Sequence, residues 1–405
     1  MKKGLLSFFI VSSLFFSSCM GYSTPTGLIK APQINTGDSN TQDLKAIVQN
    51  FLPKDSVLLA QNDLVSGKPM LNLDLDNDGA NEIIAFFKIQ DKFEKGFIVL
   101  KKKNNNWSKI FEKKQECNSI SKSDFINIVD KDTKSLLVGF LISGNSGAQY
   151  YYYTLKDGKI KESSLGWWKQ FEILNTPQQN NKGFVFAAMS RGTGNIENWD
   201  VVSLNGEEIC RDEDDYPSYG SKIIDYYNNL LQQYKDKVSP MSGLAWYNLI
   251  DAQVKSNKLK EALTSLDNFN KIVGTDTTSF EIVSQDKFKF LQGKAFSKLK
   301  RYEEASAIFN DLQTKYEENL SNLTKKNDKN SLYLIKAAKL DLLNIYFEKY
   351  KIEGALKEND KINELKAKAL NLNILQDYNK NNGEDIIYNE LDINTAKLQL
   401  EKLKQ

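Results

Sequence analysis

The 405-residue chain contains no histidine, three cysteines and seven prolines. Without histidine, the commonest general base near neutral pH and the commonest zinc ligand are gone, and so is every Ser-His or Cys-His nucleophile arrangement. Hydrolases that work through paired carboxylates or a lysine base survive that exclusion. Three cysteines cannot build a disulfide framework. Setting Cys19 aside, Cys117 and Cys210 leave either one optional disulfide or two buried thiols. An excess of charge of either sign is also missing, with 54 Lys and Arg against 52 Asp and Glu. Leaving out Lys2 and Lys3, which lie in an N-terminal segment expected to be removed, makes the two numbers equal. Neither half of the chain is clearly basic, so no nucleic-acid partner is expected. What remains is ordinary for globular proteins: 40% apolar and 26% charged residues, in a chain long enough for two or three domains.

The N-terminus MKKGLLSFFIVSSLFFSSC places two lysines before an apolar run from Gly4 to Phe16, then small residues before Cys19. The run is too short for a comfortable membrane span and has the layout of a secretory signal. Phe16-Ser17-Ser18-Cys19 resembles a bacterial lipobox, with phenylalanine where leucine is usual. The resemblance implies removal of residues 1–18 and lipidation of Cys19, which would anchor the chain to the outer face of a membrane. Acyl chains hold by burying CH₂ groups at about 0.8 kcal/mol each. The alternative is a plain secretory signal in which Cys19 is incidental. Residues 19–41 read as a tether. Leu44, Ile47, Val48, Phe51 and Leu52 then give a short amphipathic helix over 42–54, stopped by Pro53.

From 55 to 212 short apolar runs alternate with turns, as in IIAFFKI (83–89), LLVGFLI (136–142) and AQYYYYTL (148–155). Asp157-Gly158 and Asn205-Gly206 separate such runs where hairpin turns need positive φ. The expectation is an antiparallel β domain. Similar segments beginning at Asp74, Asp130 and Asn175 recur at a spacing of propeller-blade scale. Three blades are too few to close a ring, so the domain is either a partial, propeller-like arrangement or a sandwich.

Within the first repeat, LDLDNDGANEII (73–84) sets Asp74, Asp76 and Asp78 at alternate positions before a turn glycine. A hard cation wants six to eight oxygens, and alternate loop positions can supply them from one segment. The expected ligands are Asp74, Asp76, Asp78, the Ala80 carbonyl and Glu82, with calcium as the ion. An EF-hand is excluded, because the position that needs a bidentate glutamate is Ala85 and a strand follows. The pattern resembles the FG-GAP and VCBS-like repeats of integrin-propeller type, which implies calcium that clamps a hairpin turn and performs no chemistry.

An acidic linker is expected at 213–220, and helical periodicity runs from 221 to the end. The fold class is thus α+β, an antiparallel β domain followed by an all-α domain. LAWYNLIDAQVKSNKLKEALTSLDNF (244–269) and KFKFLQGKAFSKLKRYEEASAIFNDLQTKY (287–316) resemble tetratricopeptide repeats, with Ala262 and Ala305 in matching positions. Their spacing exceeds the usual repeat, and GTDTTSFEI (274–282) is expected to hold the excess. Segments 331–351, 360–378 and 391–405 read as further stacked helices without a repeat signature, the last serving as a cap. By repeat register the concave face would present Leu244, Tyr247, Asp251 and Val254, then Lys287, Phe290, Lys294 and Ser297. Tyr247, Asp251, Phe290 and Lys294 are the expected partner-binding residues. The resulting expectation is a membrane-anchored, non-enzymatic binding or scaffold protein with a protein or cell-wall partner. The alternative is a carboxylate-dependent hydrolase of envelope polysaccharide, with an acid from the Glu207-Glu208 region.

Overall fold

The structure, a computed structural model, describes residues 38–127, 134–143, 147–174, 185–234, 237–326, 329–380 and 390–404. The signal segment, Cys19 and nearly all of the tether lie outside them. The chain divides into two compact units, Met1–Ile47 and Val48–Gln405. The described part of the first is helix α1 (Asp38–Gln49), which begins earlier than the helix expected at 42–54 and runs into the second unit. It ends before Pro53, which has no N–H to continue a helix.

The second unit opens with three antiparallel sheets that do not close into a ring. The first comprises β1 (Ser56–Leu58), β2 (Met70–Leu73), β3 (Glu82–Ile89), β4 (Glu94–Lys103) and β5 (Asn106–Glu116), with β1 and β2 sharing one edge of β3. The second runs β6 (Ser119–Asn127), β7 (Lys134–Ser143), β8 (Gly147–Lys156) and β9 (Lys159–Trp168) in order. In the third the order is β10 (Gln170–Ile173), β11 (Val185–Thr193), β12 (Ile196–Asn205) and β13 (Glu208–Arg211). The repeat starts Asp74, Asp130 and Asn175 fall in equivalent places, between β2 and β3, β6 and β7, and β10 and β11. Asp130 and Asn175 themselves lie outside the described residues.

Period-two alternation stacks the sheets. On β7, Leu136, Val138 and Phe140 join Tyr153 in a core with Ile84, Phe86, Phe97 and Val99 of the first sheet. Leu137, Tyr150 and Tyr152 point the other way, onto Phe186, Ala188 and Val202 of the third. The four consecutive tyrosines of β8 are therefore packing residues on both faces. The β8–β9 turn takes positive φ at Asp157 (50°) and Gly158 (72°), as expected of a primed hairpin. Cys117 and Cys210 are free and buried, and belong to different sheets' neighbourhoods, so the two-thiol alternative holds. Burial pushes each thiol up to about 11, which keeps both protonated and inert.

Nine helices follow among the described residues: α2 (Pro217–Leu231), α3 (Pro240–Lys255), α4 (Leu259–Val273), α5 (Gln285–Lys298), α6 (Tyr302–Thr324), α7 (Lys329–Leu356), α8 (Asn359–Asn371), α9 (Ile374–Lys380) and α10 (Glu390–Lys404). Helix α3 is capped reciprocally: the Ser239 hydroxyl accepts from Ser242 N–H, and Ser242 Oγ accepts from Ser239 N–H. Helices α3/α4 and α5/α6 are the two expected hairpins, and residues 274–282 do lie between α4 and α5. A third hairpin, α7/α8, uses the same turn. Asn257, Lys300 and Lys357 take φ near 60° at matching positions, each followed by an N–H that donates back into the preceding helix.

The helices and sheets share a core. Val185, Ala187 and Val201 on the outer face of the third sheet pack with Ile223, Ile224 and Tyr227 of α2. The stretch expected to be a solvated linker is part of this contact: Asp212 and Tyr216 are buried, and α2 begins at Pro217. Leu244 and Val254, expected on a concave binding face, are buried in the same core. The register reading erred there because α3 packs against the sheet and α2 on the side that a free-standing repeat would leave open. The final helix does not simply cap the array. It returns to the edge of the third sheet, where Leu391 joins the core between the second and third sheets.

Candidate functional site

Two constellations gather chemistry-bearing side chains. The first is the loop between β2 and β3. Asp74 Oδ1 and Oδ2 accept from the N–H groups of Asp78 (3.1 Å) and Gly79 (2.9 Å), and Asp78 Oδ1 accepts from Ala80 N–H (2.9 Å). Asn77 and Gly79 take positive φ to make that turn. Glu82 is fully buried, and its Oε2 accepts from Leu75 N–H at 2.7 Å. One oxygen from each of Asp74, Asp76 and Asp78 can lie within 4.8 Å of the others, a spacing compatible with a shared cation.

A cation from the chain itself is already there. Lys101 Nζ lies 2.8 Å from Asp76, 2.7 Å from Asp78 and 2.7 Å from Glu82. Burial works against the ammonium charge, but hydrogen bonds to the three carboxylates raise its pKa well above the usual lysine value. Burial raises Glu82, against the opposing pull of Lys101 and Leu75. Among the expected ligands, Asp74, Asp76 and Asp78 offer hard carboxylate oxygens close to one another, while Glu82 is not part of that cluster and instead joins Asp76 and Asp78 around Lys101. Lys101 was not visible in the loop motif. The strand register brings it in: Ile83 pairs with Leu100, which sets Glu82 beside Lys101.

The second constellation is a cleft of about 1100 Å³ between the third sheet, the turn before α2, and helices α3, α5, α7 and α10. Tyr247, Asp251, Phe290 and Lys294, four of the eight residues expected from repeat register, line it. Lys287, from the same register, instead pairs with Asp341. The cleft adds residues from elsewhere in the chain: Asp200 on β12, Arg211 at the end of β13, Glu213, Lys255 on α3, and Glu348 and Lys351 on α7.

These groups form two sets of ion pairs, one around Arg211 and Lys255 and one around Lys294. Arg211 Nε donates to Asp200 at 3.2 Å, and Arg211 Nη1 donates to Asp392 of α10. Lys255 Nζ sits 2.7 Å from Asp251 and 4.0 Å from Asp200, with the Tyr216 ring beneath it at 5.4 Å. Lys294, 6% exposed, donates to Glu213 at 2.8 Å and lies 3.8 Å from Glu348, which holds Lys351 at 2.7 Å.

Within the cleft the resolved pKa shifts run away from neutrality. Lys294 chiefly, against opposing burial, holds Glu213 below the usual carboxylate range. Burial opposes the charge on Lys294, but Glu213 and Glu348 push it up, and Asp251 and Asp200 do the same for Lys255. Burial and the Asp251 charge raise Tyr247. Such locked charges suit recognition better than proton transfer, which favours a group poised near the working pH. In the Glu207-Glu208 region, Glu207 pairs with Lys161 and Glu208 with Lys397.

No protein-family model and no curated protein matches the chain. Among the described residues, no helix is long and apolar enough to cross a membrane.

Proposed function

We propose that this protein is a non-enzymatic binding protein, anchored through lipid on Cys19 to the outer face of a membrane, that takes its partner in the ion-paired cleft. The observation that carries this reading is convergence: four residues expected from repeat register to contact a partner line one cleft with groups from the β region. Locked charge states at Glu213, Lys255 and Lys294 favour binding over acid–base chemistry. The tetratricopeptide-like hairpins supply one wall, and the third sheet supplies the other. The acidic loop has a separate, structural role, in which calcium would hold the β2–β3 turn by displacing Lys101.

The test is capture from a native envelope extract, using the full chain because helices and sheets share a core. Wild-type protein should retain a defined component. An Asp251→Asn/Lys351→Ala variant with an unchanged melting temperature should lose it. Equal retention by both would remove the cleft from the binding reaction.

A further inference from the structure

The chemistry of the cleft narrows the class of ligand, on the premise that the cleft is the binding site. Four of the five cations that line it already have a protein carboxylate partner: Arg211 with Asp200 at 3.2 Å, Lys255 with Asp251 at 2.7 Å, Lys294 with Glu213 at 2.8 Å and Lys351 with Glu348 at 2.7 Å, while Lys402 of α10 completes the set. An anionic ligand would have to break such a pair and leave a carboxylate unpaired in a partly buried wall. That penalty reaches several kcal/mol when a buried pair loses one partner. A cationic ligand meets the mirror image of the same cost.

The pairs nevertheless retain hydrogen-bonding capacity. An ammonium carries three donors and a carboxylate about four acceptor sites, and a single contact uses one of each. A pair with both partners partly exposed, as Lys255 and Asp251 are, shows solvent a donor and an acceptor side by side. Asp251 at 23% exposed, Lys351 at 40% and Glu213 at 41% are open enough to use them. The group that answers an adjacent donor and acceptor from a single atom is a hydroxyl. The wall also holds Trp199 Nε1 and Asn248 Nδ2, buried donors with no hydrogen-bond partner among the described residues.

Aromatic faces complete the surface. Trp167, Trp168, Tyr350 and Phe347 line the same cleft, and Trp167 is 45% exposed, an unusual placement for the largest apolar side chain. Rings stack against C–H faces, and paired polar groups at their edge bind hydroxyls.

We propose that the cleft binds a neutral, polyhydroxylated ligand, an oligosaccharide segment, with Trp167 as the stacking platform and the Lys255–Asp251 and Lys351–Glu348 pairs as hydroxyl contacts. Three of the five tryptophans, Trp167, Trp168 and Trp199, line the cleft, so intrinsic fluorescence reads binding directly. The full chain in mild detergent is titrated with chitotetraose, cellotetraose and maltotetraose as neutral probes, with oligogalacturonate as the anionic probe and tetra-alanine as the peptide probe.

At least one neutral tetrasaccharide should change the fluorescence, with affinity nearly constant between about 0.05 M and 0.5 M salt because no net charge is neutralised. Trp167→Ala should weaken that binding about tenfold without moving the melting temperature. Binding confined to oligogalacturonate or to the peptide, and lost in Asp251→Asn/Lys351→Ala, would overturn the ligand class while leaving the cleft as the binding site. Undiminished neutral binding by Trp167→Ala would overturn the platform. Silence from all five probes, together with envelope capture that the cleft variant still performs, would overturn both this proposal and the reading beneath it.

Discussion

Lys101 and Lys294 show how a single side chain decides the character of each constellation. Lys101 places a positive charge among Asp76, Asp78 and Glu82, and the buried Glu82 depends on it. Replacing it with methionine should destabilise the calcium-free protein by about 3 kcal/mol, the scale for a buried charge that loses its partner. Calcium should then raise the melting temperature of Lys101→Met more than that of the wild type, since bound ligand stabilises by about 2.7 kcal/mol at a hundred times its Kd. Melting curves with saturating calcium and with chelator check this, and no calcium shift in either protein would remove the metal from the loop.

At Lys294, Glu213→Gln leaves the buried ammonium with only Glu348 at 3.8 Å. Because Glu213 is 41% exposed, the expected loss is about 2 kcal/mol at neutral pH, less than for a fully buried pair. Glu213 has a lowered pKa in the folded state, so its contribution is fully present above the unfolded value near 4.5 and fades as pH falls through the folded value. The gap between wild type and Glu213→Gln should accordingly narrow in acid unfolding, and a gap constant down to low pH would contradict the pairing. Asp76 and Asp78 were legible as one cluster in the sequence because they are adjacent in it. Lys101 and Glu213 were not, because their partners are brought to them by strand register and helix packing.

Among the elements, the three helical hairpins and the three sheets differ in how readily they could be read. Helices α3/α4 and α5/α6 carry the small and aromatic positions that resemble a repeat in the sequence, and Gly293 meets the Phe309 ring so closely that a Cβ would lie 2.8 Å from it. Helices α7/α8 have the same turn at Lys357 with none of that signature, so only their geometry reveals the third unit. Helix α3 approaches the segment after α4 at Gly243, where a Cβ would sit 1.9 Å from the Ser279 carbonyl oxygen. Gly243→Ala should therefore cost about 1–3 kcal/mol of stability through overpacking, even though alanine favours a helix by about 1 kcal/mol. Chemical denaturation measures the sum, and a stabilised variant would show that the two backbones are not in contact. In the β region, the apolar run LLVGFLI indicated a strand but not which sheets cover the two faces of β7.

For the molecule as a whole, the proposed membrane anchor and the cleft are properties of different kinds. The proposed anchor rests on a contiguous segment, and Cys19→Ser should release the protein from the membrane pellet into the soluble fraction; retention in the pellet would contradict lipidation at Cys19. The cleft is written nowhere contiguously. Arg211 of β13 is held by Asp200 of β12 and by Asp392 of α10, while Lys397 of α10 reaches back to Glu208. The C-terminal helix thus closes the helical array onto the sheet edge, so that two regions of different secondary structure form a single compact unit.

The sequence by itself determined the class of each region, the order β then α, the turn residues, the acidic loop and four residues of the cleft. All of these depend on neighbours within a few positions or on a regular period. Tertiary structure decided which cation balances the loop, which concave positions are buried, and what faces Tyr247, Asp251, Phe290 and Lys294 across the cleft. Those outcomes depend on charges and surfaces far apart in the chain, whose desolvation must be matched partner by partner once the layers pack.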